Sequence, residues 1–160
     1  MTHEWGMLSA INHHQGEPRQ TLLNQFAAKF SEEALVMDKY FSLIASSHRA
    51  DTLKQVQQAL THPQFSLENP NKARALLGAF SRNVPHFHAE DGSGYQFLAQ
   101  HIIQIDRFNP QVAARLVQAF NLCQRLEPHR QQLMTEQLHQ IAQQADLSKD
   151  VAEMVGKILA

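Results

Sequence analysis

The chain of 160 residues has one cysteine, almost no net charge and no long apolar run. Because Cys123 has no second cysteine to pair with, an internal disulfide is excluded, and we expect a reducing compartment, the cytoplasm. The 14 Lys and Arg residues nearly balance the 15 Asp and Glu residues, which argues against nucleic acid and acidic membranes as partners. Only short apolar runs occur and no basic segment leads into one at the N-terminus, so neither membrane insertion nor export is expected.

Catalytic motifs are missing as well. The chain has no G-x-S-x-G nucleophile elbow and no phosphate-binding G-x-x-x-x-G-K segment. The segment HEWGM, His3 to Met7, begins like the zinc-binding motif H-E-x-x-H, but Met7 occupies the place of the second histidine. We therefore predict no catalytic residue, no metal ligand and no cofactor in this chain.

Apolar residues recur at spacings of three and four along most of the chain, which is typical of amphipathic helices. Examples are Leu22, Leu23, Phe26 and Phe30, then Val36, Tyr40, Phe41 and Ile44, and later Val112, Leu116 and Phe120. No window alternates apolar and polar residues as a strand would. We predict a single all-α domain over residues 1–160, with about eight or nine helices. Antiparallel pairs every roughly 35 to 40 residues indicate a superhelix of the HEAT or armadillo kind, an α-solenoid.

Three helix starts are predicted from an Asn-Pro or Glu-Pro pair. Asn69, Asn109 and Glu127 each precede a proline, and the side chain of an Asn before the helix can accept hydrogen bonds from the free N–H groups of the first helical turn. Proline suits the next position, the first of the helix, because an N–H group there would have no hydrogen-bond partner within the helix.

The segment VPHFHAEDGSGYQF, Val84 to Phe97, holds four metal-ligand types within six residues: His86, His88, Glu90 and Asp91. Two interpretations are open, a zinc site completed by a distant ligand, and a loop between helices in which Asp91 or Ser93 caps the next helix. We favour the loop because Gly92 and Gly94 permit a tight turn.

Gln111 and Arg115 are four residues apart and so project from one side of a helix whose other side is apolar. The planar guanidinium of Arg115 could bind a carboxylate or a peptide carbonyl. Alternatively, the two side chains form an ordinary solvated pair, or Arg115 bonds to a neighbouring helix.

Five longer segments carry a family resemblance: LVMDKYFSLIASS (35–47), HPQFSLENPNKARALLGAF (62–80), FHAEDGSGYQFL (87–98), NPQVAARL (109–116) and LSKDVAEMVGKILA (147–160). In this order and at similar spacing, they resemble the C-terminal domain of the bacterial aminopeptidase N family, whose members are gluzincin-type zinc aminopeptidases. The resemblance runs from about Leu22 to Ala160, and the first twenty residues match least well.

The resemblance implies that this chain is the C-terminal part of a longer enzyme that removes N-terminal amino acids from peptides. The zinc and the catalytic groups would belong to another part, so this chain alone is expected to be inactive. Its helices would cap the catalytic domain, enclose a chamber and control the access of peptides. Gln111 and Arg115 match the family's NPQVAxR string, which implies contact with the distal part of a bound peptide.

The partners implied are the catalytic and other N-terminal domains of the same polypeptide, and a peptide substrate. Separated from those domains, the chain could associate with itself through the uncovered docking face. The alternative function is a free-standing helical-repeat module that binds a protein partner on its concave face.

Overall fold

The computed structural model describes all 160 residues, and they form helices without any strand. Ten helices follow one another: α1 Thr2–Ile11, α2 Glu17–Lys29, α3 Ala34–Ala45, α4 Thr52–Ala59, α5 residues 70–81, α6 Val84–Phe87, α7 Ser93–Asp106, α8 Pro110–Val117, α9 Pro128–Ala142 and α10 Lys149–Leu159. Short 3₁₀ turns lie at Gln118–Phe120 and Cys123–Arg125. None of these helices combines the length and the apolar character that crossing a membrane requires.

The chain divides into two compact units, Met1–Asn83 and Val84–Ala160. In the first unit, α3 packs against both α4 and α5, and α1 packs against α2. Met37 and Phe41 of α3 are fully buried together with Val56 of α4 and Leu76 of α5. These apolar side chains form the core of the unit, as the predicted stripe on α3 requires.

In the second unit, α7 packs against α8 and α9, and α10 packs against α8 and α9. Phe87, Tyr95 and Phe120 are fully buried, and the ring of Phe87 makes edge-on contacts with the other two rings. The aromatic cluster anchors α6 and the first turn of α7.

The prediction of an all-helical chain is confirmed, but the number of helices is slightly higher than the eight or nine predicted. The added helices are α1, with only Leu8 buried, and the one-turn α6. The apolar residues of α1 are not gathered on one side, and α6 spans only four residues, so neither produces the periodic pattern of an amphipathic helix. Pro85 fits within α6 because it lies in the first turn, where a proline removes no helical hydrogen bond.

The fifth helix is also less regular than predicted. It consists of Pro70–Ala73, a π-helical turn at Arg74–Gly78, and Ala79–Ser81. A π-helical turn adds one residue to the turn and rotates all later side chains around the helix axis.

The three predicted helix starts are confirmed. The side chain of Asn69 accepts hydrogen bonds from the N–H groups of Asn71 and Lys72. Asn109 accepts from Val112, and the carboxylate of Glu127 accepts from the second and third residues of α9. Asn and Glu at these positions satisfy donors that would otherwise have no partner in the helix.

The start of α7 differs in detail from the prediction. Gly92, rather than Asp91 or Ser93, is the residue that precedes the helix, and its φ of 75° lies in the left-handed region that favours glycine. The carboxylate of Asp91 accepts a hydrogen bond from the N–H of Ser93 at 2.9 Å and so closes the turn.

Candidate functional site

Helix α8 presents Gln111 and Arg115 to solvent. Asn109 fixes the start of the helix, with its side-chain oxygen 3.2 Å from the N–H of Val112. Ala113, Leu116 and Val117 are buried, so this side of the helix is held against the core. Gln111 and Arg115 lie on the exposed side, and the sequence prediction that both project together is confirmed.

The two side chains line a groove of about 360 Å³ between α8 and α10. Helix α10 forms its other wall with Asp150, Glu153 and Met154. This helix buries Val151, Val155 and Ile158, which turns its charged residues toward solvent and the groove. Helix packing therefore brings together two segments that are far apart in the sequence.

The guanidinium of Arg115 is exposed and makes no hydrogen bond or ion pair with the rest of the chain. Its five N–H donors therefore remain available in the groove, and the interpretation that Arg115 bonds to a neighbouring helix does not hold. Glu153 is engaged by Lys157, with Nζ 2.6 Å from Oε1, and this contact holds the pKa of the carboxyl below its ordinary value. The groove thus offers an unengaged guanidinium beside amide and carboxylate groups.

The His-rich segment Val84 to Phe97 is arranged differently from a metal site. Nδ1 of His88 lies 2.6 Å from the hydroxyl of Tyr95, and the backbone carbonyl of His88 accepts from Arg130. Burial, together with the positive charge of Arg130, lowers the pKa of His88. No group of three or more His, Cys, Asp or Glu side chains is arranged so that it could hold a metal ion. His88 instead ties α6 to α7.

One polar centre in the first unit was missed by the sequence analysis. Arg19 is 1% exposed and donates to the backbone carbonyl and the side-chain oxygen of Asn12 and to Gln55. Burial lowers its pKa. Arg19 gave no signal in the sequence because its partners come from the end of α1 and from α4. Its role here is to link helices.

The ten helices, with no strand among them, define the class of the chain as all-α. The family model described as "Domain of unknown function (DUF3458_C) ARM repeats" matches residues 1–160, and the chain belongs to this family.

Comparison with known proteins places the match in the C-terminal region of aminopeptidase N. The chain is 40% identical over 161 residues to aminopeptidase N of Escherichia coli (strain K12), which covers 100% of this chain and 18% of that protein. It is 39% identical over 142 residues to aminopeptidase N of Haemophilus influenzae, covering 88% of this chain and 16% of the relative.

A solved structure agrees with these relatives. The crystal structure of Legionella pneumophila aminopeptidase A in complex with aspartic acid matches with a TM-score of 0.90 and 33% identity, covering 95% of this chain and 18% of that one. The chain spans less than a fifth of the length of each of these relatives.

Proposed function

We propose that this chain is the non-catalytic C-terminal part of a zinc aminopeptidase that removes N-terminal amino acids from peptides. The observation that supports this proposal is the match of the whole chain to the C-terminal region of aminopeptidase N. Zinc and the catalytic groups would be supplied by another domain of the same polypeptide. The helices would cap that catalytic domain, enclose a chamber and limit which peptides reach it, in the cytoplasm.

In this proposal Arg115 and Gln111 hold the distal part of a bound peptide. Arg115 is suited to this role because its guanidinium has no partner within the chain and faces a groove of about 360 Å³. A peptide has carbonyl oxygens along its length and a carboxylate at its C-terminus. The planar guanidinium of an arginine can donate hydrogen bonds to either group, and it can bind the carboxylate through two parallel hydrogen bonds. Gln111, one helical turn earlier, adds an amide that both donates and accepts.

The proposal also requires a surface that contacts the other domains. In the first unit, an apolar groove of about 230 Å³ lies between α1 and α2, with Met7, Leu22 and Phe26 in its walls. Met7 is 44% exposed. Such a surface fits a docking face for the rest of the polypeptide, and in the isolated chain it would favour self-association.

Replacing Arg115 by alanine in the full-length enzyme tests the binding role. We expect KM for peptides of four or more residues to rise about tenfold, the size of effect expected when a charged hydrogen bond is lost, with little change in kcat. The KM for a short chromogenic amide should stay within about twofold, because such a substrate does not reach Arg115.

Arg107→Ala is the matched control, since Arg107 is an exposed arginine in the same unit that lies outside the groove. Equal losses on the long and the short substrate would contradict the assignment, as would an unchanged KM for the long peptide.

A further inference from the structure

A second groove, in the first unit, has a volume of about 490 Å³ and is formed by α1, α3 and the end of α5. This volume is within the range of ligand sites in proteins. Trp5, Leu43 and Ala79 supply its apolar surface, and Lys39 and Arg82 supply positive charge. We call it the Trp5 groove. It shares no residue with the groove at Arg115.

The charge of the Trp5 groove is positive. Asp38 also lines it, but Oδ1 of Asp38 lies 3.2 Å from Nζ of Lys72, and this ion pair is largely buried, with exposures of 19% and 10%. Lys39 and Arg82 are exposed, and their charged side-chain groups make no ion pair or hydrogen bond with the rest of the chain. Two positive charges are therefore left without a counter-charge at the edge of one groove.

The polar groups that remain available there are mainly donors. The hydroxyls of Ser42 and Ser46 already donate to the carbonyls of Ala75 and Leu43, each at 3.0 Å. The side-chain amide of Asn83 donates to two backbone carbonyls, and its oxygen is buried away from solvent.

A ligand in the Trp5 groove therefore meets the guanidinium of Arg82, the ammonium of Lys39 and the indole N–H of Trp5, which donate and cannot accept. The imidazole of His48, stacked on that of His13, also lines the groove and can donate or accept.

We propose that the Trp5 groove binds a carboxylate carried by a short apolar peptide. A carboxylate has two acceptor oxygens and one negative charge, so it pairs with Arg82 through two parallel hydrogen bonds and with Lys39 through its charge. The apolar body of the peptide lies against Trp5, Leu43 and Ala79. The carboxylate comes either from an acidic side chain or from the C-terminus of the peptide.

The fluorescence of Trp5 reports on this binding directly, because Trp5 is the single tryptophan of the chain. Three tripeptides distinguish the sources of the carboxylate. These probes are acetyl-Leu-Glu-Leu-amide, its neutral counterpart acetyl-Leu-Gln-Leu-amide, and acetyl-Leu-Gln-Leu with a free C-terminal carboxylate. All three are acetylated, so none can be held by a site that requires a free N-terminus.

We expect a saturable change in Trp5 fluorescence with at least one carboxylate peptide at up to millimolar concentration, and none with the neutral peptide. A response to the Glu peptide alone assigns the side-chain carboxylate as the ligand, and a response to the free C-terminus alone assigns the terminal one. Arg82→Gln should weaken binding about fivefold or more, because an arginine–carboxylate pair is lost. Arg107→Gln, in the other unit, should leave binding unchanged.

The side chain of Arg82 is exposed and makes no hydrogen bond or ion pair, and a matching melting temperature of the variant verifies its fold. Equal binding of the neutral peptide, no saturable response to either carboxylate peptide, or unchanged binding by Arg82→Gln would each overturn the proposal. A response to inorganic phosphate without a response to the peptides would do so as well. None of these outcomes bears on the role of Arg115, since the two grooves lie in different units.

Discussion

Gly94, in the first turn of α7, packs directly against the backbone of α6. A methyl group placed on its Cα would lie 2.4 Å from the backbone carbonyl oxygens of both His86 and Phe87. Backbone atoms cannot move aside as the end of a flexible side chain can. Gly94 is therefore required for packing between two helices, in contrast to Gly92, which is required for its backbone conformation.

Gly94→Ala is expected to lower the free energy of unfolding by about 2 kcal/mol or more, the cost of overpacking a close contact. Gly156→Ala is the control, because nothing lies within 4 Å of a methyl group there and the position is inside α10. The control should raise the free energy of unfolding by about 0.5–1 kcal/mol through helix propensity. Urea unfolding measures both, and similar values for the two variants would disprove the packing argument.

The sequence pattern at this site was informative in part. Two glycines after His86 and His88 predict a turn, and Gly92 confirms it. Gly94 was predicted to permit a turn, but its role is different. Glycine is needed there because the backbone carbonyl groups of the residues seven and eight positions earlier leave no room for a side chain. Local chemistry predicts a glycine that needs a positive φ much more readily than one that needs space.

At the scale of elements, the end of α7 is tied to the start of α10 by Asp106 and Ser148. The carboxylate of Asp106, 6% exposed, accepts from the backbone N–H of Ser148 at 2.8 Å and from its hydroxyl at 2.5 Å. The hydroxyl of Ser148 in turn accepts from the N–H of Val151 at 3.2 Å. One side chain therefore caps α10 and also attaches it to α7.

Ser148→Ala should lower the free energy of unfolding by about 1–3 kcal/mol, because the variant loses the cap and leaves a buried carboxylate oxygen without its partner. The control is Ser9→Ala, which removes an exposed hydroxyl without a hydrogen-bond partner inside α1 and should have an effect below about 0.5 kcal/mol. Thermal and urea unfolding of both variants provide the comparison. A loss for Ser148→Ala no larger than that of the control would show that the attachment is unimportant.

The residues that cap the start of a helix can be predicted only in part from the sequence. Asn69, Asn109 and Glu127 were predicted because a proline follows each of them and the cap involves residues two or three positions away. The bond from Asp106 joins residues separated by 42 positions. No local rule predicts such a pairing, since it exists only after α7 and α10 have packed within the same unit.

At the scale of the whole molecule, the pKa values of three histidines are shifted from the ordinary value in the same direction. Burial lowers the pKa of His62, His88 and His101 below the ordinary value of 6.5. Lys72 contributes to the shift at His62, and Arg130 contributes at His88, because each places a positive charge nearby. In each case the folded chain resists protonation more than the unfolded chain does.

We expect the free energy of unfolding to decrease as the pH falls below about 6.5, because the unfolded state then binds protons that the folded state does not. The contribution of these histidines is fully present above that pH and is lost as the pH falls toward their lowered pKa values. Urea unfolding from pH 8 to pH 5 measures the slope, and NMR titration assigns it to individual imidazoles. Stability that stays constant or increases on acidification in this range would contradict the prediction.

The sequence by itself determined the helical class, most helix positions, the three Pro-associated starts and the joint projection of Gln111 and Arg115. All of these depend on spacings of a few residues, at which helix geometry is regular. Only the tertiary structure decided that α10 faces Arg115 across a groove, that Arg19 is buried among Asn12 and Gln55, and that Lys39 and Arg82 share a groove with Trp5. These contacts join residues distant in the chain, and their formation depends on how whole helices pack.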